Sequence, residues 1–190
     1  MDYAVDKIIS NEHTAIITVD EWAEDPRSFE QSASVMYCEH KRYQLGDKND
    51  LDFSECSSWE DHEKVVLAEQ GADAIILPLY LYDHSGITMS TEPFSCNWDS
   101  GRVGTIAISL DTVRKEYGCT DITPTLKETI LDALRSEVDT YDMYLTNDVY
   151  TVTIVETDNE DEVIDSCGGF YGIDYARTNA EETLATYEKK

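Results

Sequence analysis

One segment of the sequence, residues 83–104, contains the residue types of a catalytic site. An acid, a histidine and a cysteine lie close together there, and an activated nucleophile is built from such groups. Binding and catalytic residues often lie on loops, and this segment has the Gly, Ser, Pro and Asn content of a loop. A small enzyme or a nucleotide-binding protein would use Asp83, His84, Cys96, Trp98 and Asp99.

The same segment also has a purely structural interpretation. It contains no nucleophile elbow and no Cys-His signature of a known protease family. Asp83 and Asp99 are suited to hydrogen-bonded turns, and Trp98 is expected to anchor the loop on the core. We therefore favour a loop held by local hydrogen bonds, expect that the protein is not an enzyme, and keep the enzyme as the alternative.

Two further groups of residues have the side-chain types of metal ligands, but their spacing in the sequence matches no known metal-binding motif. The first is Cys38, His40, Cys56 and His62, which match no standard zinc arrangement. The second is Asp47, Asp50 and Asp52, but Ser58 occupies the position at which a calcium loop starting at Asp47 would need glutamate. We expect no metal and no cofactor.

Negative charge is the dominant property of the chain. Among its 190 residues, 40 Asp and Glu stand against 14 Lys and Arg, giving a formal net charge of -26. A molecule with this charge repels nucleic acid and anionic lipid and is attracted to basic surfaces. We therefore expect a basic partner, and neither direct nucleic-acid binding nor membrane binding.

The acids are concentrated on elements that the sequence predicts to be ordered. Four of them share one face of a predicted long helix, where carboxylates four residues apart are separated by about 6 Å along the axis. Three more follow at a predicted hairpin. Like charges this close cost a few tenths of a kcal/mol per helical pair, so they do not favour folding. The predicted partner contacts are Glu128, Asp132, Asp139, Asp142, Glu160, Asp161 and Glu162.

Hydrophobic periodicity and turn residues predict the elements that position these side chains. Strands are predicted at 15–19, 34–38, 72–82, 103–109, 149–155 and 163–171, with a long loop at 83–102 and a charged turn at 156–162. Helices are predicted after Ser57 or Ser58 and at 111–117, 124–146 and 175–187. Pro78, inside an apolar strand, requires an edge, a bulge or a break.

This order of elements predicts an α+β fold, with a single antiparallel or mixed sheet and helices packed on it. The length suits one domain spanning residues 1–190. No apolar run approaches the length of about 20 residues that crosses a bilayer. The five cysteines lack the spacing of a disulfide scaffold, so we expect reduced thiols and a cytoplasmic location.

Several segments of the sequence resemble a family of small acidic proteins encoded by phages and mobile elements. The most specific block is LPLYLYDHSGI at 77–87, followed by FSCNWDSG at 94–101 and Val103-Gly104. Other matching segments lie at 40–47, 141–150 and 165–172. The resemblance covers most of the chain after residue 36 and implies a phage or mobile-element setting, rather than a particular chemistry.

Two explanations of the acidity compete. One is solubility or adaptation to high salt, which needs no particular partner. The other is imitation of nucleic acid, which presents a dense line of negative charge to basic grooves. Because the acids cluster on ordered elements and the segments resemble phage proteins, we predict an anti-defence protein acting in the host cytoplasm. It would occupy the basic nucleic-acid-binding surface of a CRISPR effector or a restriction enzyme.

Overall fold

The computed structural model describes residues 4–29 and 32–187. The described residues form four α-helices and eight β-strands, and the strands make two antiparallel four-stranded sheets. The predicted α+β class is confirmed, while the sequence predicts one sheet and the structure has two. In chain order the elements are β1 (Ala4–Ile9), β2 (His13–Val19), β3 (Val35–Cys38), α1 (Trp59–Gln70), β4 (Ile75–Asp83), β5 (Ile87–Ser90), β6 (Ser100–Ile108), α2 (Leu110–Tyr117), α3 (Pro124–Leu145), β7 (Val149–Glu156), β8 (Asn159–Tyr171) and α4 (Ile173–Tyr187).

The chain divides into two compact units, which are described separately. The terminal unit comprises Met1–Asp25 with Met143–Lys190, and the central unit is Pro26–Asp142. The terminal unit contains the sheet with strand order β1-β2-β7-β8, together with α4. The central unit contains the sheet with order β3-β6-β4-β5, together with α1, α2 and most of α3. The single domain expected over 1–190 stays a prediction.

Alternate side chains of β2 and β7 form the core of the terminal unit. Ala15 pairs with Ile154 and Ile17 with Val152, and all four are buried. Against this face, α4 buries three side chains spaced four residues apart, as its amphipathic pattern requires. They are Ala176, Ala180 and Leu184. The predictions of strands at 15–19 and 149–155 and of the last helix are therefore confirmed, with ends shifted by one or two residues.

The long helix α3 begins and packs as the sequence predicts. The hydroxyl of Thr123 accepts the Leu126 N–H at 3.1 Å, and Pro124 is the first helical residue. A Thr cap followed by proline satisfies free N–H groups at a helix start without losing a hydrogen bond. The predicted apolar stripe is buried at Ile130, Leu134, Val138 and Tyr141. The exposed acids of α3 lie on the opposite face of the helix.

Pro78 lies in β4 where that strand has a neighbour on one side only. β4 pairs with β6 from Ile75 onward, but its pairs with β5 start only at Tyr80. The β4–β6 register also shifts between Leu79 and Tyr80. A proline cannot donate a ladder hydrogen bond, so an edge position beside a bulge accommodates it. The expectation for Pro78 is confirmed.

Two local predictions are wrong. The predicted loop at 83–102 contains β5, which pairs with the end of β4 as a hairpin. β5 has only four residues, too few to show a period in the sequence. The predicted charged turn at 156–162 is much shorter, since only Thr157 and Asp158 form the turn and β8 starts at Asn159. The acids after Asp158 therefore lie on a strand.

Candidate functional site

Helix α3 presents three of its four predicted contact acids to solvent. Glu128, Asp132 and Asp139 are exposed on the face away from the buried stripe. Asp132 forms an exposed ion pair with Arg135 at 2.8 Å. Asp142 is different, because its partly buried carboxylate accepts the backbone N–H of Met89 at 2.6 Å. That hydrogen bond gives Asp142 a role in the fold of the central unit.

The other three predicted contact acids form a bulge in β8. Glu156 pairs with Asn159 and Val155 pairs with Val163, so the residues between Asn159 and Val163 have no partner in the ladder. A bulge bends the strand and turns its extra residues away from the ladder. The bulge contains Glu160, Asp161 and Glu162, all exposed. Glu160 forms an ion pair with Lys7 at 2.6 Å, and both side chains remain open to solvent.

The distribution of charge differs between the units. The terminal unit has 18 acidic and 4 basic residues, while the central unit has 22 and 10. Within the β7–β8 hairpin, residues 149–171, there are six acids and no Lys or Arg. The two predicted clusters belong to different units, with the α3 acids in the central unit and the β8 acids in the terminal unit. The acids of the hairpin therefore have no basic residue of the same hairpin beside them.

A second acidic segment, residues 20–25, adjoins the far end of β8 and is not among the predicted partner contacts. The Asp20 carboxylate accepts the N–H of Trp22 at 3.0 Å and that of Gly169 at 2.9 Å. The Tyr171 hydroxyl donates to the carbonyl of Glu24 at 2.5 Å. Burial raises the pKa of Tyr171, and the negative charges of Asp25, Glu24 and Asp20 raise it further. The signal in the sequence was a tryptophan among closely spaced acids.

The 83–104 segment does bring its candidate residues together. The His84 imidazole Nδ1 lies 3.3 Å from the Asp99 carboxylate, and the Cys96 thiol donates to the same carboxylate at 3.8 Å. Asp83 forms an ion pair with Arg42. Its backbone N–H donates to the carbonyl of Asp99 at 2.7 Å. These contacts tie the β4 end to the β6 start.

The contacts in this cluster are not those of a nucleophile paired with its base. A cysteine nucleophile needs an imidazole to take its proton, but here the thiol and the imidazole both contact Asp99. The hydrogen bonds instead close the loop, as the structural interpretation predicts. The expectation for Trp98 is wrong, because its side chain is 96% exposed and does not anchor the loop. An exposed indole leaves room for a stacking ligand.

The contacts of two zinc candidates, Cys38 and His40, do not suit metal ligands. Burial raises the pKa of the Cys38 thiol to about 12, which opposes the thiolate that a metal requires. His40 stacks on Tyr43. Within residues 4–29 and 32–187, no group of three or more His, Cys, Asp or Glu side chains is placed to hold a metal ion.

His62 is a buried histidine in the central unit. Its ring stacks on Phe53 at 4.1 Å between centroids, and its Nδ1 lies 3.4 Å from the Thr105 hydroxyl. Its Nε2 has no hydrogen-bond partner among the described residues. Burial lowers the pKa of His62 to about 4, and the positive charge of Arg102 lowers it in the same direction. A neutral imidazole is therefore part of this core.

No protein-family model, curated protein or solved structure matches the chain. None of the described helices has the length and apolar character that crossing a bilayer demands.

Proposed function

We propose that this protein is an anti-defence protein of a phage or mobile element. It acts in the host cytoplasm and inhibits a nucleic-acid-binding defence complex, either a CRISPR effector or a restriction enzyme. Its carboxylates occupy the basic surface that otherwise binds nucleic acid. Affinity comes from charge complementarity and counterion release, as it does for nucleic acid itself.

The observation that carries this proposal is the charge of the β7–β8 hairpin. Six acids and no Lys or Arg lie within residues 149–171, and three of the acids form an exposed bulge. Like charges on neighbouring positions are unfavourable for folding, so the fold gives no reason for them. The exposed acids of α3 repeat the pattern on a second ordered element. Exposed carboxylates on ordered elements are the feature that a basic groove recognises.

A bacterial infection assay tests the proposal. The chain is expressed in cells that carry a CRISPR or restriction system, and the cells are challenged with a phage that the system normally blocks. We expect plating of the phage to recover in at least one such system. With that complex purified, the chain should displace duplex DNA from it, and displacement should weaken as salt is raised.

Charge reversal identifies the surface responsible. The variants E128K/D132K/D139K and E160K/D161K/E162K should each reduce displacement of DNA by about tenfold or more. A matched control, D50K/E55K/D73K, changes the net charge equally at three other exposed acids and should retain most of the activity. If all three variants act alike, net charge rather than a defined surface is responsible. If no defence system is inhibited, the proposed function is wrong.

The second candidate is a small enzyme or nucleotide-binding protein that uses the 83–104 segment. It is favoured by the cluster of Asp83, His84, Cys96 and Asp99 beside the exposed Trp98. The variants His84→Ala and Cys96→Ala discriminate between the two candidates, once circular dichroism shows that they are folded. Loss of function in these variants, with no effect of the charge reversals, would support the second candidate.

A further inference from the structure

β8 is an open strand edge. It has 13 residues and pairs with β7 on one side, while no strand among the described residues pairs with its other side. Every residue from Asn159 to Gly169 is exposed. A free strand edge presents backbone N–H and C=O groups that another extended chain can pair with.

The regular part of this edge is short and lies between two irregular parts. Asp165, Ser166 and Cys167 pair in unbroken register with Ile154, Thr153 and Val152. On one side of this stretch the register shifts at Ile164 and again at the acidic bulge beyond Val163, and on the other side it shifts at Gly168 and Gly169. Because bulges bend a strand away from a flat edge, backbone pairing with a partner is limited to about the three regular residues and their neighbours.

Carboxylates lie at both ends of the regular stretch. The bulge supplies Glu160, Asp161 and Glu162 at one end. At the other end, the Asp20 carboxylate accepts the Gly169 N–H and lies over Gly168 beside Thr151 of β7. The acidic segment that starts there, with Glu21 and Glu24, thus adjoins the sheet face at this end of β8. Glu160 is paired with Lys7 of β1, whereas the hairpin supplies no Lys or Arg beside Asp161 and Glu162. A partner on this edge therefore meets negative charge near both of its ends.

Trp22 is an independent sign of a binding surface. Its side chain is 89% exposed although its backbone is fixed by the Asp20 carboxylate. An indole held in water on an ordered turn is unfavourable in the free protein, and tryptophan is enriched among the residues that dominate binding interfaces. Its ring also attracts Lys and Arg cations. The indole and the acids around it thus favour the same kind of partner.

We infer that an extended, Lys- and Arg-bearing segment of the partner adds to the edge of β8. Its backbone pairs with Asp165–Cys167, its basic side chains meet the two acidic groups, and one of its cations packs on Trp22. A second copy of this chain is unfavourable, because both copies would bring the same strong net negative charge to the interface. From Glu160 to Gly169 the edge spans about 30 Å at most, which accommodates about nine extended residues.

The inference rests on the proposed function for the nature of the partner, but a peptide tests it alone. The probe is a fluorescent peptide of about twelve residues that alternates lysine with threonine and valine, long enough to cover the edge. Its binding to the full chain is measured by fluorescence anisotropy. A second peptide has the same sequence with four consecutive central N-methyl groups, which keep the charge and remove the backbone donors. We expect the N-methylated peptide to bind about tenfold more weakly.

Matched variants of the chain locate the site. E160Q/D161N/E162Q should weaken the binding of the first peptide by about tenfold, while E128Q/D132N/D139N removes the same charge from α3 and should change it by less than about twofold. Trp22→Ala should weaken binding by about fivefold, and Trp98→Ala, which removes an equally exposed indole, should have no effect.

Two results would overturn the inference. Equal binding of the two peptides would show that charge alone acts, without strand addition. Equal effects of the two charge variants would show that β8 is not the site. These results can be told apart from failure of the proposed function. If the chain binds the peptide as described but inhibits no defence system, the docking surface is supported and the proposed function is wrong. If the chain inhibits a defence system but does not bind the peptide, only the docking surface is wrong.

Discussion

Acid should weaken the fold of this protein through His62. The pKa of this buried imidazole falls from 6.5 to about 4, first because burial penalises the charged form and second because Arg102 is nearby. A tenfold change in proton affinity corresponds to about 1.4 kcal/mol, so this change in the pKa of His62 corresponds to about 3 kcal/mol. Because the pKa is lower in the folded state than in the unfolded state, this stability is fully present above pH 6.5. It is lost as the pH falls toward 4.

The magnitude can be measured at two pH values. Between pH 7.5 and pH 5, linkage predicts that the His62 contribution falls by about 2 kcal/mol. Urea unfolding of the wild type and of His62→Phe at both pH values isolates this amount. Phenylalanine retains the stack on Phe53 and does not titrate, while all carboxylates titrate in both proteins. The variant should therefore lose about 2 kcal/mol less than the wild type over this range.

A buried side chain that does not titrate provides the control. Val113→Ala should lower the free energy of unfolding by the same amount at both pH values. If the wild type and His62→Phe lose the same free energy of unfolding between the two pH values, then His62 is not held neutral by the fold.

Two further predictions concern stability and compare a buried position with an exposed one. Arg27, whose side chain is 4% exposed, forms ion pairs with Asp47 at 2.6 Å and Glu137 at 2.7 Å. Arg27→Met should therefore cost about 1 to 3 kcal/mol by leaving two partly buried carboxylates without their cation. Arg135→Met breaks an exposed pair and should cost less than about 1 kcal/mol in the same urea titration; equal costs would contradict the assignment. Gly104 lies in β6, where an added Cβ would be 2.1 Å from the carbonyl oxygen of Tyr37. Gly104→Ala should lower the free energy of unfolding by about 1 to 3 kcal/mol, while Gly101→Ala in the same strand meets no atom within 4 Å and should change it by less than about 0.5 kcal/mol. A neutral Gly104→Ala would show that β3 and β6 are not packed as described.

Local patterns predicted the helices and most strands well. The Thr123-Pro124 pair and the regular apolar stripe define α3, because capping and a 3.6-residue period depend only on neighbouring residues. Gly118 ends α2 in the left-handed conformation, as its position after 111–117 suggests. Burial of one helix face also decides which acids of α3 reach solvent.

Features that depend on partners distant in sequence were not predictable. The pairing of β2 with β7 divides the strands between two sheets, and no local pattern shows which strand pairs with which. The bulge at Glu160–Glu162 arises from the register of β8 on β7, which the sequence does not show. The sequence therefore predicted these acids as part of a turn. Trp98 was expected in the core because large aromatic residues usually are, but its neighbours determine its exposure.

The terminal unit has a consequence for how the chain is made. β2 pairs along its length with β7, and the whole central unit lies between them in the sequence. During synthesis, β2 leaves the ribosome well before β7, the strand with which it pairs along its length. Contacts this far apart form slowly, whereas the central unit can fold as soon as it emerges. A chain cut short before residue 149 would therefore expose the apolar strand Ala15–Ile17 to solvent and to chaperones.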